Sequence, residues 1–328
     1  MVNRRSMVSI CAVVILSLSA LPAAAKTVNF TFATTNGAKD FSSLAMVRWQ
    51  KAMAEASNGE LNMNFVPGGA LGGDKQLLQQ LTTNEIQLHV AGPVVVHHLL
   101  PEYQCMEAEF VYKDEAHGFR VWNGPLRDQL NKDLEEKFGI TIIGVGSRGA
   151  RNITSNKPIR VPSDLEGVKI RVTNPLRQEI FKAYGALPAP LSIAELYGAL
   201  QQGVFEAQEN PISTIWGNKF YEVQDYIDLT GHVWSYWIIS ANKSFIDGLS
   251  PAHKKIFFST LDDAINWLNE KVHADTQVLL DKMVQTGKVQ VIQPDIAPFK
   301  KIADPIVKDF ADKKCRPGIL EEIATYAQ

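Results

Sequence analysis

An arginine, Arg171, and an asparagine farther along the chain, Asn210, carry groups suited to binding an organic acid. Arg171 presents a planar guanidinium whose donors fit a carboxylate with two parallel hydrogen bonds. Asn210 carries an amide that can donate to a carboxylate and accept from a hydroxyl. Together these side chains predict a site that recognises the carboxylate of a small molecule.

The residues around Arg171 predict a strand. Val168, Ile170 and Val172 alternate with polar residues, which is the period of a half-buried strand, and a proline at 175 follows its end. Arg171 is therefore expected near the carboxyl end of this strand. Ligands of open α/β sheets bind outside the carboxyl ends of the strands, so this position favours a ligand contact.

Asn210 is expected where a short strand, residues 203–207, leads into a helix that begins near Pro211. The positive end of a helix dipole favours anions; the plainer interpretation is a helix cap, and both roles can coexist. Glu209 would repel a bound anion, so it is expected to point away or to pair with a base. Arg151 precedes Arg171 by 20 residues, and its residue type alone allows a solvated surface charge, the usual state of an arginine.

Hydrophobic periodicity predicts an α/β fold. Strands are expected at 28–33 and 61–66 with a helix at 44–57 between them, and this alternation predicts a parallel, doubly wound sheet. A single helix is expected over residues 251–286, where serine and proline stand at the preferred starting positions. At 1.5 Å per residue such a helix is about 50 Å long, enough to brace two domains.

Residues 144–150 contain the glycine spacing of a dinucleotide-binding loop and follow a strand expected at 140–145. That motif needs a helix to begin within it, whereas residues 150–163 contain two prolines and show no helical periodicity. We therefore interpret the segment as a loop that crosses between domains. Arg148 lies in it, and the sequence assigns this arginine no role.

The first 25 residues have the features of a secretory signal peptide: a basic pair at 4–5, an apolar run over 8–20 and three alanines at 23–25. The apolar run is about 13 residues long, short of the roughly 20 that a spanning helix needs. The mature chain is expected to begin at Lys26 and to act in the periplasm.

Composition limits the remaining classes of function. A formal net charge of −2 provides no basic footprint for nucleic acid. Cys105 and Cys315 follow the signal segment, and an oxidising compartment permits a disulfide between them, but the sequence leaves their pairing open. His97 and His98 are adjacent and lack a third ligand at zinc spacing, so we expect a surface or packing role and no metal. No nucleophile–base pair stands out, so an enzyme is not expected.

Several ordered motifs resemble one family. The chain is similar to the solute-binding proteins of TRAP (tripartite ATP-independent periplasmic) transporters, the DctP family, from about residue 28 to the C-terminal region. The motifs that carry this likeness are Gly-Gly-Asp-Lys at 72–75, Asp-Leu-Glu-Gly-Val-Lys-Ile-Arg-Val at 164–172, Gly-Ala-Leu-Pro at 185–188, Glu-Leu-Tyr-Gly-Ala-Leu-Gln at 195–201 and Gln-Glu-Asn-Pro at 208–211.

The resemblance implies an α/β, two-lobed periplasmic binding protein of the Venus-flytrap type. The first lobe would span 26–148 with part of about 235–275, and the second 149–230 with part of the C-terminal region. The helix at 251–286 would brace the lobes, and a tail would follow at 289–328. The resemblance also implies a monomer without a cofactor that hands its solute to the small and large membrane subunits of an ion-driven transporter.

For the site, the resemblance places two arginines and an asparagine around one carboxylate. The first-lobe wall at 91–94 has no polar side chain, and aromatic residues could line the cleft or pack in the core. These features leave room for a C4-dicarboxylate, a sugar acid or a related hydroxy or aromatic acid. A periplasmic sensor that feeds a membrane receptor and a secreted enzyme are the alternatives. The expected ligand-binding residues are Arg171, Arg151, Asn210, Trp216, Gly92 and Trp234.

Overall fold

The computed structural model describes residues 27–328, so the predicted signal peptide lies outside the described residues. Among residues 27–328, no helix combines the length and the apolar character needed to cross a bilayer. The strands are β1 (Val28–Ala33), β2 (Leu61–Val66), β3 (Leu88–Ala91), β4 (Ile140–Ser155), β5 (Lys169–Val172), β6 (Leu187–Pro190), β7 (Ala207–Pro211), β8 (Tyr226–Asn242) and β9 (Gln290–Ile292). The α-helices are α1 (Phe41–Ala56), α2 (Asp74–Thr82), α3 (Val94–His98), α4 (Glu115–Trp122), α5 (Pro125–Phe138), α6 (Pro175–Ala183), α7 (Ile193–Gln201), α8 (Ile212–Gly217), α9 (Lys243–Gly248), α10 (Pro251–Gln285), α11 (Ile296–Lys314) and α12 (Ile319–Thr325).

One mixed sheet connects these strands in the order β2-β1-β3-β8-β4-β7-β5-β6, with β9 beside β8. At one end β1 pairs in parallel with β2 and β3, and at the other β5 pairs in parallel with β6 and β7. We call the part built on β1–β3 the first lobe and the part built on β5–β7 the second lobe. The predicted parallel pairing therefore holds within each lobe, whereas the central pairs are antiparallel.

Two long strands join the lobes. β4 has 16 residues and β8 has 17, and the two pair along most of their length. The expected loop at 144–150 is wrong, because this segment is the middle of β4. Its pairing partner lies about 90 residues away, between Trp234 and Ile239, so the local sequence pattern does not reveal the strand. The lobe boundary expected between residues 148 and 149 falls inside this strand.

Alternating residues of β8 divide between two hydrophobic clusters. Tyr236 and Ile238 belong to one cluster, and Trp237 and Ile239 belong to the other. Successive side chains of a strand point to opposite faces, so the sheet is covered on both sides at this point. This part of β8 is therefore buried on both faces.

α10 is the long helix expected from the sequence. The side chain of Ser250 caps it by accepting a hydrogen bond from the backbone N–H of His253. The helix packs against α1 and β4 and also contacts α8 next to the second lobe. Gly146 of β4 permits this approach, since a Cβ there would lie 2.9 Å from Cδ2 of Leu268. α10 thus braces both lobes.

A disulfide joins Cys105 to Cys315 across 210 residues, with their Cα atoms 6.3 Å apart. Cys105 lies in a 3-10 helix, Pro101–Glu107, and Cys315 directly follows α11. The bond therefore ties the C-terminal helices to the segment that follows α3, and it resolves the pairing that the sequence left open.

Candidate ligand-binding site

A pocket between the two lobes is lined by residues from both. Gly92 follows β3 of the first lobe, Arg148 comes from β4, Arg171 from β5 and Asn210 from β7. With Arg151, which also comes from β4, these strands place four predicted residues side by side. Beside them lies Arg148, an arginine to which the sequence assigned no role.

Arg171 is buried, with 6 % of its surface exposed. Its Nε and Nη2 donate to the carbonyl oxygen of Leu191 at 2.8 and 2.7 Å. Within residues 27–328, no carboxylate oxygen lies within 4.0 Å of this guanidinium. Burial lowers the pKa of Arg171 to about 10, so the side chain stays charged at neutral pH. A buried cation held by one neutral carbonyl is suited to receive an anion.

Arg151 has a different environment, because Glu209 occupies one edge of its guanidinium. Nε and Nη2 of Arg151 both donate to the Glu209 carboxylate, and Arg177 of α6 approaches the same carboxylate at 3.5 Å. Burial opposes ionisation of Glu209, but the two arginines hold its pKa well below the usual range. The expectation that Glu209 pairs with a base is confirmed. The surface alternative for Arg151 is wrong, since the residue is 1 % exposed.

Asn210 connects the arginines of β4. Its Oδ1 accepts from Nη2 of Arg148 at 3.1 Å and from Nη2 of Arg151 at 3.2 Å, while its Nδ2 donates to Gln208 at 2.6 Å. The strand that carries Asn210 is Ala207–Pro211 instead of the expected 203–207, so the residue lies within β7. Its contribution to the pocket is therefore its side-chain amide.

Arg148 is the pocket residue that the sequence did not assign. Ser147 pairs with Tyr236 and Gly149 pairs with Ser235, so Arg148 is the extra residue of a β-bulge. In a regular strand, residues three apart face opposite sides, and Arg148 and Arg151 would then point apart. A bulge redirects a side chain locally, which explains how both arginines reach one pocket.

Polar groups of the first lobe also line the pocket. Asp74, the first residue of α2, accepts from Oγ1 of Thr35 at 2.8 Å, and its Oδ1 lies 3.5 Å from Nε2 of His89. Burial opposes ionisation of Asp74, but the nearby His89 and the hydrogen bond from Thr35 lower its pKa. Asn36 lines the pocket beside them. The apolar first-lobe wall expected from residues 91–94 is thus incomplete, and acceptors for ligand hydroxyls are present.

His97 lies against a buried carboxylate at the pocket. Its Nε2 is 2.7 Å from Oε2 of Glu107, whose Oε1 accepts from Oγ of Ser235 at 3.1 Å. Burial opposes ionisation of Glu107, but the contact with His97 lowers its pKa to about 2. His97 therefore has a polar role in the pocket wall as well as a packing role. In the part of the chain that the structure describes, no three His, Cys, Asp or Glu side chains are grouped to hold a metal ion.

The two candidate tryptophans do not line the pocket. Trp216 of α8 stacks on Tyr221, with ring centroids 5.2 Å apart and planes inclined by 9°. Trp234 of β8 packs against the hydrophobic cluster that contains Tyr236. Of the six expected residues, the structure therefore brings together Arg171, Arg151, Asn210 and Gly92. The presence of a tryptophan does not distinguish a core position from a position in the cleft wall, because the ring can be buried in either place.

A wider cavity adjoins the pocket. The two share Asp74, Val94, His97, Arg171 and Thr173, and the wider cavity extends to Lys75. Arg148 lines only the pocket, whereas Arg171 lines both cavities.

Two lobes that share a pair of long crossing strands, a bracing helix and a buried polar pocket between them define the class of two-lobed solute-binding proteins. Residues 32–314 match the bacterial extracellular solute-binding proteins of family 7, DctP. This match covers most of the chain, and the chain belongs to that family.

Related proteins extend over nearly the full chain. The 2,3-diketo-L-gulonate-binding periplasmic protein YiaO of Escherichia coli (strain K12) is 30% identical over 293 residues, which cover 87% of this chain and 88% of that protein. A TRAP periplasmic solute-binding protein of Ochrobacterium anthropi with bound L-fuconate superposes with a TM-score of 0.85 at 29% identity, covering 92% of this chain and 100% of that chain. The sugar acid binding protein DctPAm of Advenella mimigardefordensis strain DPN7T in complex with galactonate gives a TM-score of 0.86 at 26% identity, covering 92% and 98%.

Proposed function

We propose that this protein captures a small hydroxylated organic acid anion in the pocket between its lobes. The observation that carries the proposal is Arg171, a buried guanidinium at the pocket with no carboxylate of residues 27–328 within 4.0 Å. A buried cation without a counter-ion is costly, and a ligand carboxylate would remove that cost. Asn210 and Gly92 complete the second-lobe and first-lobe walls around it.

The polar lining favours a hydroxylated acid over an aromatic one. Asp74, Thr35 and Asn36 can exchange hydrogen bonds with hydroxyl groups, whereas Trp216 and Trp234 lie elsewhere. Relatives that bind 2,3-diketo-L-gulonate, L-fuconate and galactonate support the same chemistry. The ligand class we propose is therefore the sugar acids and related hydroxy acids, held without chemical conversion.

The transport role follows from the family. We propose that residues 1–25 direct export and are removed, that the mature protein acts in the periplasm as a monomer, and that it delivers the acid to TRAP membrane subunits. Lobe closure would occur about the bulged β4–β8 pair, with residues 26–148 and 149–230 moving as the two bodies. Neither nucleic acid nor a cofactor takes part.

A thermal-shift screen of the mature chain tests this function. The panel contains galactonate, L-fuconate, succinate, sialic acid and benzoate, with galactose and fucose as neutral controls of matched shape. A ligand that binds only the folded state at 100 times its Kd adds about 2.7 kcal/mol of stability, so a binding acid should raise Tm by several degrees. Equal shifts with the neutral sugars, or no shift with any acid, would contradict the proposal.

A further inference from the structure

Arg148 is a buried cation whose charge no contacting carboxylate compensates. It is 6 % exposed, and Nη2 makes a single hydrogen bond, to the neutral Oδ1 of Asn210 at 3.1 Å. Nε is buried and has no hydrogen-bond partner in the described part of the chain. The guanidinium carbon lies 4.2 Å from the ring centroid of Trp237, a cation–π contact that covers one face and satisfies none of its N–H groups.

The other buried arginines of this region are paired differently. Arg151 and Arg177 each contact a carboxylate, with Glu209 shared between them and Glu109 bound by Arg177 at 2.7 Å. Arg148 and Arg171 alone among these four have no carboxylate of residues 27–328 within 4.0 Å. The pocket therefore contains two guanidinium groups suited to receive anions from outside the protein.

No carboxylate near Arg148 forms a salt bridge with it. Asp40 accepts from the backbone and side chain of Ser42 through Oδ1 alone, its Oδ2 has no hydrogen-bond partner among residues 27–328, and burial raises its pKa. Glu107 is in contact with His97, and Glu209 is held by Arg151. Burial lowers the pKa of Arg148 to about 9, so the side chain keeps its proton at neutral pH but gains from an added anion.

Arg148 and Arg171 reach the pocket from different places. β7 lies between β4 and β5, and Arg171 pairs with Gln208, which pairs in turn with Thr154. Arg148 is six residues along β4 from Thr154, so the two backbones are offset by about 20 Å along the strands as well as by about 10 Å across them, and the long side chains converge on the pocket. The guanidinium of Arg171 is held at Leu191 and lines both cavities, whereas that of Arg148 is held at Trp237 and lines only the pocket. A ligand lying across Asn210 would meet one arginine at each end.

We propose that Arg148 is a specificity-determining residue that binds a second carboxylate, so that the preferred ligand is a hydroxylated dicarboxylic acid. One carboxylate binds Arg171, the other binds Arg148, and the hydroxyl groups between them face Asp74 and Thr35. The inference rests on the proposed capture of an organic acid and narrows it to acids with two ionised ends. Gly92 makes the second subsite possible, because a Cβ there would lie 2.6 Å from Nη1 of Arg148.

Calorimetry with matched acids tests the second subsite. Galactarate and galactonate share a six-carbon hydroxylated skeleton and differ in whether the far end is a carboxylate or an alcohol. The wild-type protein should bind galactarate at least tenfold more tightly than galactonate. Arg148→Gln should weaken galactarate at least tenfold more than galactonate, and Arg148→Lys should retain part of the preference. The exposed Arg160→Gln removes the same charge outside the pocket and should leave the ratio unchanged.

The outcomes separate three readings of Arg148. Equal weakening of both acids by Arg148→Gln would mean that the side chain only positions Asn210, and it would overturn the inference. Wild-type binding of galactonate as tight as galactarate would also overturn it while leaving acid capture intact. Absence of binding by both acids and by the rest of the acid panel would instead remove the proposed function. The ratio of the wild-type affinities for galactarate and galactonate tests the preference for a dicarboxylic acid even if an Arg148 variant fails to fold.

Discussion

Arg151 and Glu209 form a buried ion pair in which Nε and Nη2 of one guanidinium donate to the two oxygens of one carboxylate. Arg151 lines the pocket, and its Nη2 also donates to Oδ1 of Asn210. An arginine that the sequence assigns to the ligand is thus also a structural support for the strand pair β4–β7. Its charge is compensated inside the protein, which distinguishes it from Arg171.

Glu209→Gln should destabilise the fold. The change leaves Arg151 and Arg177 buried with one carboxylate fewer, and breaking a buried pair in this way typically costs about 3–5 kcal/mol. Urea unfolding at pH 7 should show a lower midpoint with an unchanged slope. Glu179→Gln, on the exposed side of α6, is the matched control and should stay within about 0.5 kcal/mol of the parent. A loss below about 1 kcal/mol in Glu209→Gln would mean that the ion pair contributes little.

Gly92→Ala should weaken acid binding without unfolding the protein. The added Cβ displaces the guanidinium of Arg148, the flexible end of a side chain, so the backbone need not move. We expect binding about tenfold weaker, equivalent to about 1.4 kcal/mol, with Tm close to that of the parent. Gly248→Ala places a methyl group in open space at the end of α9 and serves as the control. Binding by Gly92→Ala within twofold of the parent would show that the position of Arg148 is unimportant.

The raised pKa of the Asp228 carboxyl group predicts that the free energy of unfolding changes with pH in mild acid. Burial raises its pKa from 3.8 to about 6, against hydrogen bonds from Ser155 and the backbone N–H of Ile159. Between these pH values the folded state holds the proton more tightly than the unfolded state, so the contribution of Asp228 to stability falls as pH rises from about 4 through 6. A pKa difference of this size between the folded and unfolded states changes the free energy of unfolding by about 3 kcal/mol across this pH range.

Asp228→Asn tests this pH dependence. The amide can accept from Ile159 and donate to Oγ of Ser155, which itself donates to the carbonyl of Lys157. Unfolding free energies at pH 4, 5, 6 and 7 should therefore fall less with rising pH in the variant than in the parent. Parallel pH profiles for the two proteins would show that Asp228 titrates near its ordinary value.

Local patterns predict the elements that local forces determine. The bounds of β1 and β2 follow from alternating residues, and α10 follows from its serine cap, proline start and helical periodicity. Arg171 is placed correctly because its strand and the proline that follows it are both visible in the sequence. The family motifs around it add the neighbouring strands and the two-lobed arrangement.

Features that depend on distant partners are not visible in this way. The bulge at Arg148 exists because Ser147 and Gly149 pair with consecutive residues of β8, and no local pattern marks the extra residue. Asp74 belongs to the family motif at 72–75, but its place in the pocket depends on Thr35, which follows β1, and on His89 of β3. The sequence does not show whether a tryptophan ring lies in the core or in the cleft wall, because an aromatic ring can be buried in either place.

Calorimetry of Arg171→Ala with the tightest acid from the screen tests most directly whether Arg171 anchors the ligand. Loss of one partner of a buried charge pair typically costs about 2–5 kcal/mol, so binding should weaken by roughly 30-fold to several thousand-fold. Arg171→Lys keeps the charge but loses the planar donor array, so it should also bind poorly, whereas Arg160→Gln should bind like the parent. Binding by a folded Arg171→Ala variant within threefold of the parent would contradict the account and place the anchor elsewhere in the cleft.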